Sequence, residues 1–202
     1  MEGSMKKQNT ISATLMTKVA ILSAISYILM FIALPIPILF PNFLKLDISD
    51  VPAIFGGMSL GPIAGFAIVF IKNLLQAITA STTAWIGEIA NMLIGGSYVI
   101  ILSIIYKKKK DITGLVIGFI FATIAMVIVG CLTNYYMLLP FYATVMPMDA
   151  IIQAGHIINP NVTDLFSFVI WMIAPFNLVK AILISLFTLP LYKKMGLILN
   201  NK

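Results

Sequence analysis

The chain has 202 residues, 60% of them hydrophobic and only 10% charged, with a mean hydropathy of +1.05. A soluble domain carries roughly 25% charge, so the composition excludes one and points to an integral membrane protein. The net charge of +6 rests on 13 lysines and no arginine; these gather at the ends of apolar runs, which argues against a nucleic-acid partner.

Residues 1–4 (MEGS), followed by Met5, read as an expression scar, leaving 5–202 as a single membrane domain. The first apolar run, 11–34, is too long for a signal-peptide core and no small-residue cleavage site follows it, so it counts as a true span. Within it, Ala13, Thr17, Ala20 and Ala24 form a stripe of small residues along one face. Such a stripe allows close helix approach, either inside this chain or against another membrane protein. Next comes "LPIPILFPNFLKLDISDVP" (34–52), apolar although it is a loop. It either lies in the lipid interface or forms a semi-rigid lid carrying Phe40, Phe43, Leu44 and Leu46.

Hydropathy alone marks five apolar blocks, at 11–34, 51–71, 85–106, 112–139 and 163–192. The positive-inside rule tests that count. Lysines cluster at Lys6, Lys7 and Lys18, at 107–110, and at Lys193, Lys194 and Lys202. For all three clusters to face the cytoplasm, an even number of spans must separate the first two. "GGMSLGPIAGF" (56–66) supplies the missing break, because Pro62 disfavours helix at Gly61 and glycine makes a turn cheap. The expected fold is therefore all-α, with six transmembrane helices at about 11–34, 50–59, 62–79, 85–106, 112–139 and 163–191 and both termini cytoplasmic. The second helix covers only ~15 Å of a ~30 Å core. It must be tilted, sunk beside other helices, or preceded by a dipping loop, and Ser49 or Asp50 is positioned to cap it.

Intramembrane polar residues come in helical pairs. Glu88/Asn91, Asn73/Gln76 and Asn177/Lys180 are spaced i,i+3, and Lys72/Gln76 is spaced i,i+4. Counted up from the inner boundary, Lys180 lies about 20 Å deep and Asn91 and Asn177 about 24 Å. Asn134 lies near the outer end of the fifth span. Each residue alone is explained by helix–helix packing, with Glu88 pairing a lysine. The set, gathered in one leaflet, favours an outward-opening ligand pocket. The last outer loop, 140–162, adds Met146 and Met148 as candidate cover for a flat ligand, whereas a lone loop histidine such as His156 is more often solvent-facing than a ligand.

One cysteine, Cys131, and one histidine, His156, rule out an internal disulfide, a CxxC motif and a bis-histidine haem site. No Walker A loop, HExxH or GxSxG motif occurs. Six helices, one outward pocket and no energy source describe a binding subunit driven by a partner, not an enzyme.

Three stretches, "LKLDISDVPAIFGGMSLGPIAGF" (44–66), "AILSA" (20–24) and "NLVKAI" (177–182), resemble the substrate-binding S components of energy-coupling factor (ECF) vitamin transporters. The likeness is greatest to the riboflavin-specific S components of Gram-positive bacteria. It implies a multi-pass protein of the bacterial plasma membrane that captures riboflavin from outside as substrate, with no cofactor. It implies partnership with an ECF coupling membrane protein and two ATPase subunits. Ala20 and Ala24, with Ala13 and Thr17, would face the coupling protein. Glu88, Asn91, Asn134, Asn177 and Lys180 would hold the polar groups of riboflavin, and Leu44, Leu46 and Asp47 would contribute from the first outer loop. Two lysines against one glutamate sit awkwardly with a neutral vitamin. They keep open an anionic one (pantothenate, biotin or folate), unless Lys72 snorkels to the outer interface. A membrane-embedded enzyme and a purely structural subunit are the rivals outside transport.

Overall fold

A computed structural model describes residues 12–199, with side chains to residue 192. The expected scar (1–4), Lys6, Lys7 and Lys202 lie outside the described residues, as do the side chains of Lys193 and Lys194. Helix α1 spans Ala13–Met30, α2 Val51–Leu60, α3 Pro62–Ala80, α4 Ile86–Lys108 and α5 Ile112–Tyr142. Helix α6, Met148–His156, lies within the last outer loop. Helix α7 runs from 165 to 199, its apolar part being Leu165–Tyr192. Five of these are long and apolar enough to cross a membrane, and the shorter apolar α2 makes the sixth span.

The break between the second and third spans falls where expected. Gly61 has φ +107°, a conformation open to glycine at little cost, and Pro62 opens α3. The two helices fold back closely. A Cβ on Gly65 would lie 2.7 Å from the Gly57 backbone, so no larger residue fits this contact. Asp50 stands at the N-cap of α2 but its side chain does not cap the helix, contrary to expectation; it is engaged by Lys72 instead.

The first span stops at Met30, four residues short of the expected end. The chain then forms a short antiparallel pair, Leu34–Pro35 with Lys45–Leu46. Between these strands Phe40 turns inward, packing edge-to-face on Phe176 at 5.3 Å, and Phe43 stacks on Phe168 at 6.2 Å. The loop then dips, and Asp47, Ser49 and Asp50 are all buried. Of the three geometries open to the short second span, two are observed: the loop before it is buried, and α2 is sunk beside other helices with Val51–Gly57 all buried.

Helices α5 and α7 share a device. Each contains one π turn, at Asn134–Leu138 and at Val169–Ile173. A proline follows two residues after each, Pro140 and Pro175. Proline has no N–H and crowds the carbonyl four residues back, and a widened turn relieves that crowding. The two π turns pack on each other. Helix α7 starts from Asp164, whose carboxylate accepts from the Ser167 N–H at 2.7 Å in a capping box.

The core has two parts. An inner cluster centres on Tyr98, Leu102, Leu115 and Met126, and an outer one on Phe40, Leu46, Leu139 and Phe168. Helix α4 is the central element, with 50% of its apolar window buried, whereas α1 packs only on α2 and α3 and has 11% buried.

Candidate functional site

A cavity of about 220 Å³ opens between the two clusters. The dipping loop contributes Phe43, Leu44, Lys45 and Asp47 to its wall. Helix α4 contributes Ala90, Asn91 and Ile94; α5 contributes Asn134, Leu138 and Tyr142; α7 contributes Phe176, Asn177 and Lys180. Six of the eight residues expected to hold ligand thus meet at one space. The spacing of Asn134, Leu138 and Tyr142 at i, i+4, i+8 follows one helix face, a signal that the sequence already carried.

Lys180 organises the polar side of the wall. Its Nζ donates to Asp47 Oδ2 at 2.8 Å and to Asn91 Oδ1 at 3.2 Å. Asn91 Nδ2 donates to Asn73 Oδ1 at 2.9 Å, and Asn73 Nδ2 to the Val69 carbonyl at 2.8 Å. The asparagines of α5 and α7 are each held by their own helix. Asn134 Nδ2 donates to the Gly130 carbonyl at 2.8 Å, and Asn177 Nδ2 to the Ile173 carbonyl at 2.9 Å. Asn134 Oδ1 is buried with no hydrogen-bond partner. A buried acceptor left unpaired costs about 1–3 kcal/mol, so a ligand donor is its natural complement. The helices can bring these amides together because Gly130 has no side chain; a Cβ there would sit 2.5 Å from Asn177 Nδ2.

Two expected residues stand apart from the cavity. Leu46 is buried in the outer cluster on the opposite side of its strand from Lys45, as strand alternation requires. Glu88 pairs with no lysine among the described residues. Its Oε2 accepts from Ser81 Oγ and Thr83 Oγ1, both at 3.0 Å, and it borders a separate cavity with Trp85 and Met92. Its carboxylate closes the 80–85 turn, where Ala84 and Trp85 both have positive φ. The last outer loop also differs from expectation. Met146 and Met148 do not line the main cavity; His156 is exposed, as expected of a lone loop histidine, and its Nδ1 donates to the Val162 carbonyl at 2.8 Å.

The largest correction concerns Lys72. It neither snorkels nor reaches the cavity wall, being 0% exposed. Its ammonium donates to Ser49 Oγ at 2.6 Å and forms an ion pair with Asp50. Each lysine therefore has an aspartate from the dipping loop, Lys72 with Asp50 and Lys180 with Asp47. Lys72 and Lys180, the two lysines that favoured an anionic ligand, are thus both paired, and the further lysine at the wall, Lys45, is exposed. Sequence reasoning missed this because both aspartates sit in a segment assigned to the outside. Burial by itself would raise the Asp47 pKa, but Lys180 and Lys72 outweigh it and hold the carboxyl below the ordinary carboxylate range.

On the far side of the molecule, the α1 residues Ala13, Thr17, Ala20 and Ala24 are all exposed. The stripe is therefore left uncovered by the rest of the described residues.

A family model described as "ECF transporter, substrate-specific component" matches residues 14–192. The chain is 35% identical to the riboflavin transporter RibU of Staphylococcus aureus (strain TCH60) over 178 residues, 88% of each chain. It is 34% identical over 169 residues to the riboflavin transporter FmnP of Bacillus subtilis (strain 168), covering 83% of this chain and 84% of that one. A solved structure described as "Structure and mechanism of the S component of a bacterial ECF transporter" superposes with a TM-score of 0.74 at 34% identity. It covers 93% of this chain and 98% of the other.

Proposed function

We infer the function from one premise: the chain belongs to the substrate-specific components of ECF transporters. It is a riboflavin-binding S component, a multi-pass protein of the bacterial plasma membrane, and it acts by transport rather than covalent chemistry. The observation that carries the substrate is the meeting of Asn91, Asn134, Asn177 and an Asp47-paired Lys180 at one cavity completed by apolar side chains. Riboflavin is neutral and flat, with carbonyls and an N–H on one edge and hydroxyls on its ribityl chain. In our reading Asn134 Oδ1 accepts from the ligand. Lys180, Asn91 and Asn177 supply the remaining hydrogen bonds, and Leu44, Phe43 and Phe176 cover the ring. Glu88 acts at one remove by fixing the 80–85 turn, and Leu46 by anchoring the strand that carries Leu44 and Asp47. A site built of such groups rejects ligands that leave them unpaired.

The reading extends to the partner. One coupling membrane protein and two ATPase subunits would supply the energy. The exposed face of Ala13, Thr17, Ala20 and Ala24 would dock on the coupling protein, since small residues permit close helix approach. Residues 5–202 would act as one unit in this exchange.

The test is the visible spectrum of the purified, detergent-solubilised protein, with the released ligand identified by mass. A yellow protein releasing roughly one riboflavin per chain supports the reading. A colourless protein that also fails to quench added riboflavin fluorescence removes riboflavin as the substrate.

A further inference from the structure

Lys72 is 0% exposed, in the middle of a membrane helix, and it does not line the cavity. Placing a charge there is costly, and such residues tend to be functional. Neutralising Asp50 accounts for only part of its surroundings. Its second contact, at 2.6 Å, is to Ser49 Oγ. That hydroxyl donates in turn to Asp47 Oδ1, which also accepts the Ser49 backbone N–H at 2.9 Å. The other oxygen of Asp47 receives Lys180, and Lys180 does line the cavity. A buried chain of contacts therefore runs from Lys72 through Ser49 and Asp47 to the ligand wall.

The segment from 47 to 50 lies just before α2 and carries no helical hydrogen-bond ladder of its own. Asp47 is held instead by the Ser49 N–H and hydroxyl and by Lys180, and that hydroxyl in turn accepts from Lys72 of α3. Helix α4 leaves room for the arrangement, because a Cβ on Gly95 would lie 2.7 Å from Asp50 Oδ1. One carboxylate oxygen of Asp50, Oδ2, remains buried without a partner. An apolar pair at 50 and 72 would satisfy packing better, since buried ion pairs are often no more stabilising than apolar replacements. Stability therefore gives a weak reason for the pair, and geometry gives a stronger one.

We propose that Lys72 is a positioning residue for ligand binding, acting through Ser49 to set Asp47 and hence the orientation of Lys180 at the cavity. This rests on the riboflavin-binding reading above. The consequence is specific: severing the chain weakens the ligand site without unfolding the protein, and the loss depends on Lys180 being present.

The experiment measures riboflavin dissociation constants by fluorescence quenching on the purified full chain in detergent, with melting temperature recorded alongside. Ser49→Ala keeps all four charges and should weaken binding about fivefold, the size of one hydrogen bond. Lys72→Met combined with Asp50→Asn removes both charges together and should weaken it tenfold or more. In a Lys180→Gln background both losses should shrink below twofold, because the route ends at that residue. Binding unchanged in Ser49→Ala and in the paired variant overturns the proposal. So does a loss of equal size in both backgrounds, which marks a merely structural role. If the paired variant does not fold, Ser49→Ala alone decides. A wild-type protein that binds no riboflavin counts against the proposed function instead, so the two failures are distinct.

Discussion

Asn134 shows how a single side chain divides its work. Its amide N–H is fixed on the Gly130 carbonyl, and its oxygen is left without a partner at the cavity wall. Asn134→Leu removes that acceptor and nothing else in the fold depends on it. Riboflavin affinity should fall at least tenfold while the melting temperature of the ligand-free protein holds or rises; fluorescence titration and thermal unfolding check both. Asp47 gives a second expectation. Its folded pKa is depressed, so the stability it contributes is fully present above the unfolded value of ~3.9 and is lost as pH falls through the lower folded value. Between pH 5 and 8 the carboxylate keeps its charge. Riboflavin affinity titrated at those two values should agree within about threefold, since a single hydrogen bond is worth more than that. The polar residues of the spans were legible because an amide or ammonium stands out in an apolar helix. Their partners were not. Asp47 and Asp50 look like ordinary loop carboxylates, and only the dip of the chain turns them into counter-ions for Lys180 and Lys72.

The helices themselves were readable where hydropathy and lysine placement agree. Splitting the second block at Gly61 found α2 and α3 to within a residue at each end. The ends of α1 and α7 were less sharp, because apolar residues continue beyond the helix at Leu34 and helix continues into the lysine-containing tail. The π turns were missed altogether. Hydropathy has no phase for one extra residue per turn, and the clue lay in Pro140 and Pro175, which were read only as loop or span residues. At this level the close approach of α5 and α7 yields its own prediction. Gly130→Ala puts a methyl group where Asn177 Nδ2 now sits, 2.5 Å from the ideal Cβ position. The flexible amide must move rather than the backbone. Binding should fall tenfold or more, whereas the far-ultraviolet circular dichroism and gel-filtration profile should match the parent protein.

For the molecule as a whole, the proposed ligand site and the proposed docking face draw on different residues. The cavity is built mainly by the dipping loop, α4, α5 and α7, and α1 touches it only through its last residue, Met30, with 11% of its apolar window buried. Ala24→Trp should therefore leave riboflavin affinity within about twofold and abolish riboflavin uptake into cells or vesicles containing the coupling module, because a bulky residue blocks close helix approach. Uptake that survives the substitution would move the docking face elsewhere. The two ion pairs also set an order of events during synthesis. Asp50 finds Lys72 22 residues later in the chain, within one helical hairpin, but Asp47 waits for Lys180, 133 residues further on. At a ribosomal pace of ~5–20 residues per second that interval is roughly ten seconds. By its end the first five spans have been made with one carboxylate still lacking its cation. The vitamin pocket therefore does not exist in the nascent protein until the last span arrives, and a chain released before α7 would insert as a membrane protein with nothing to bind.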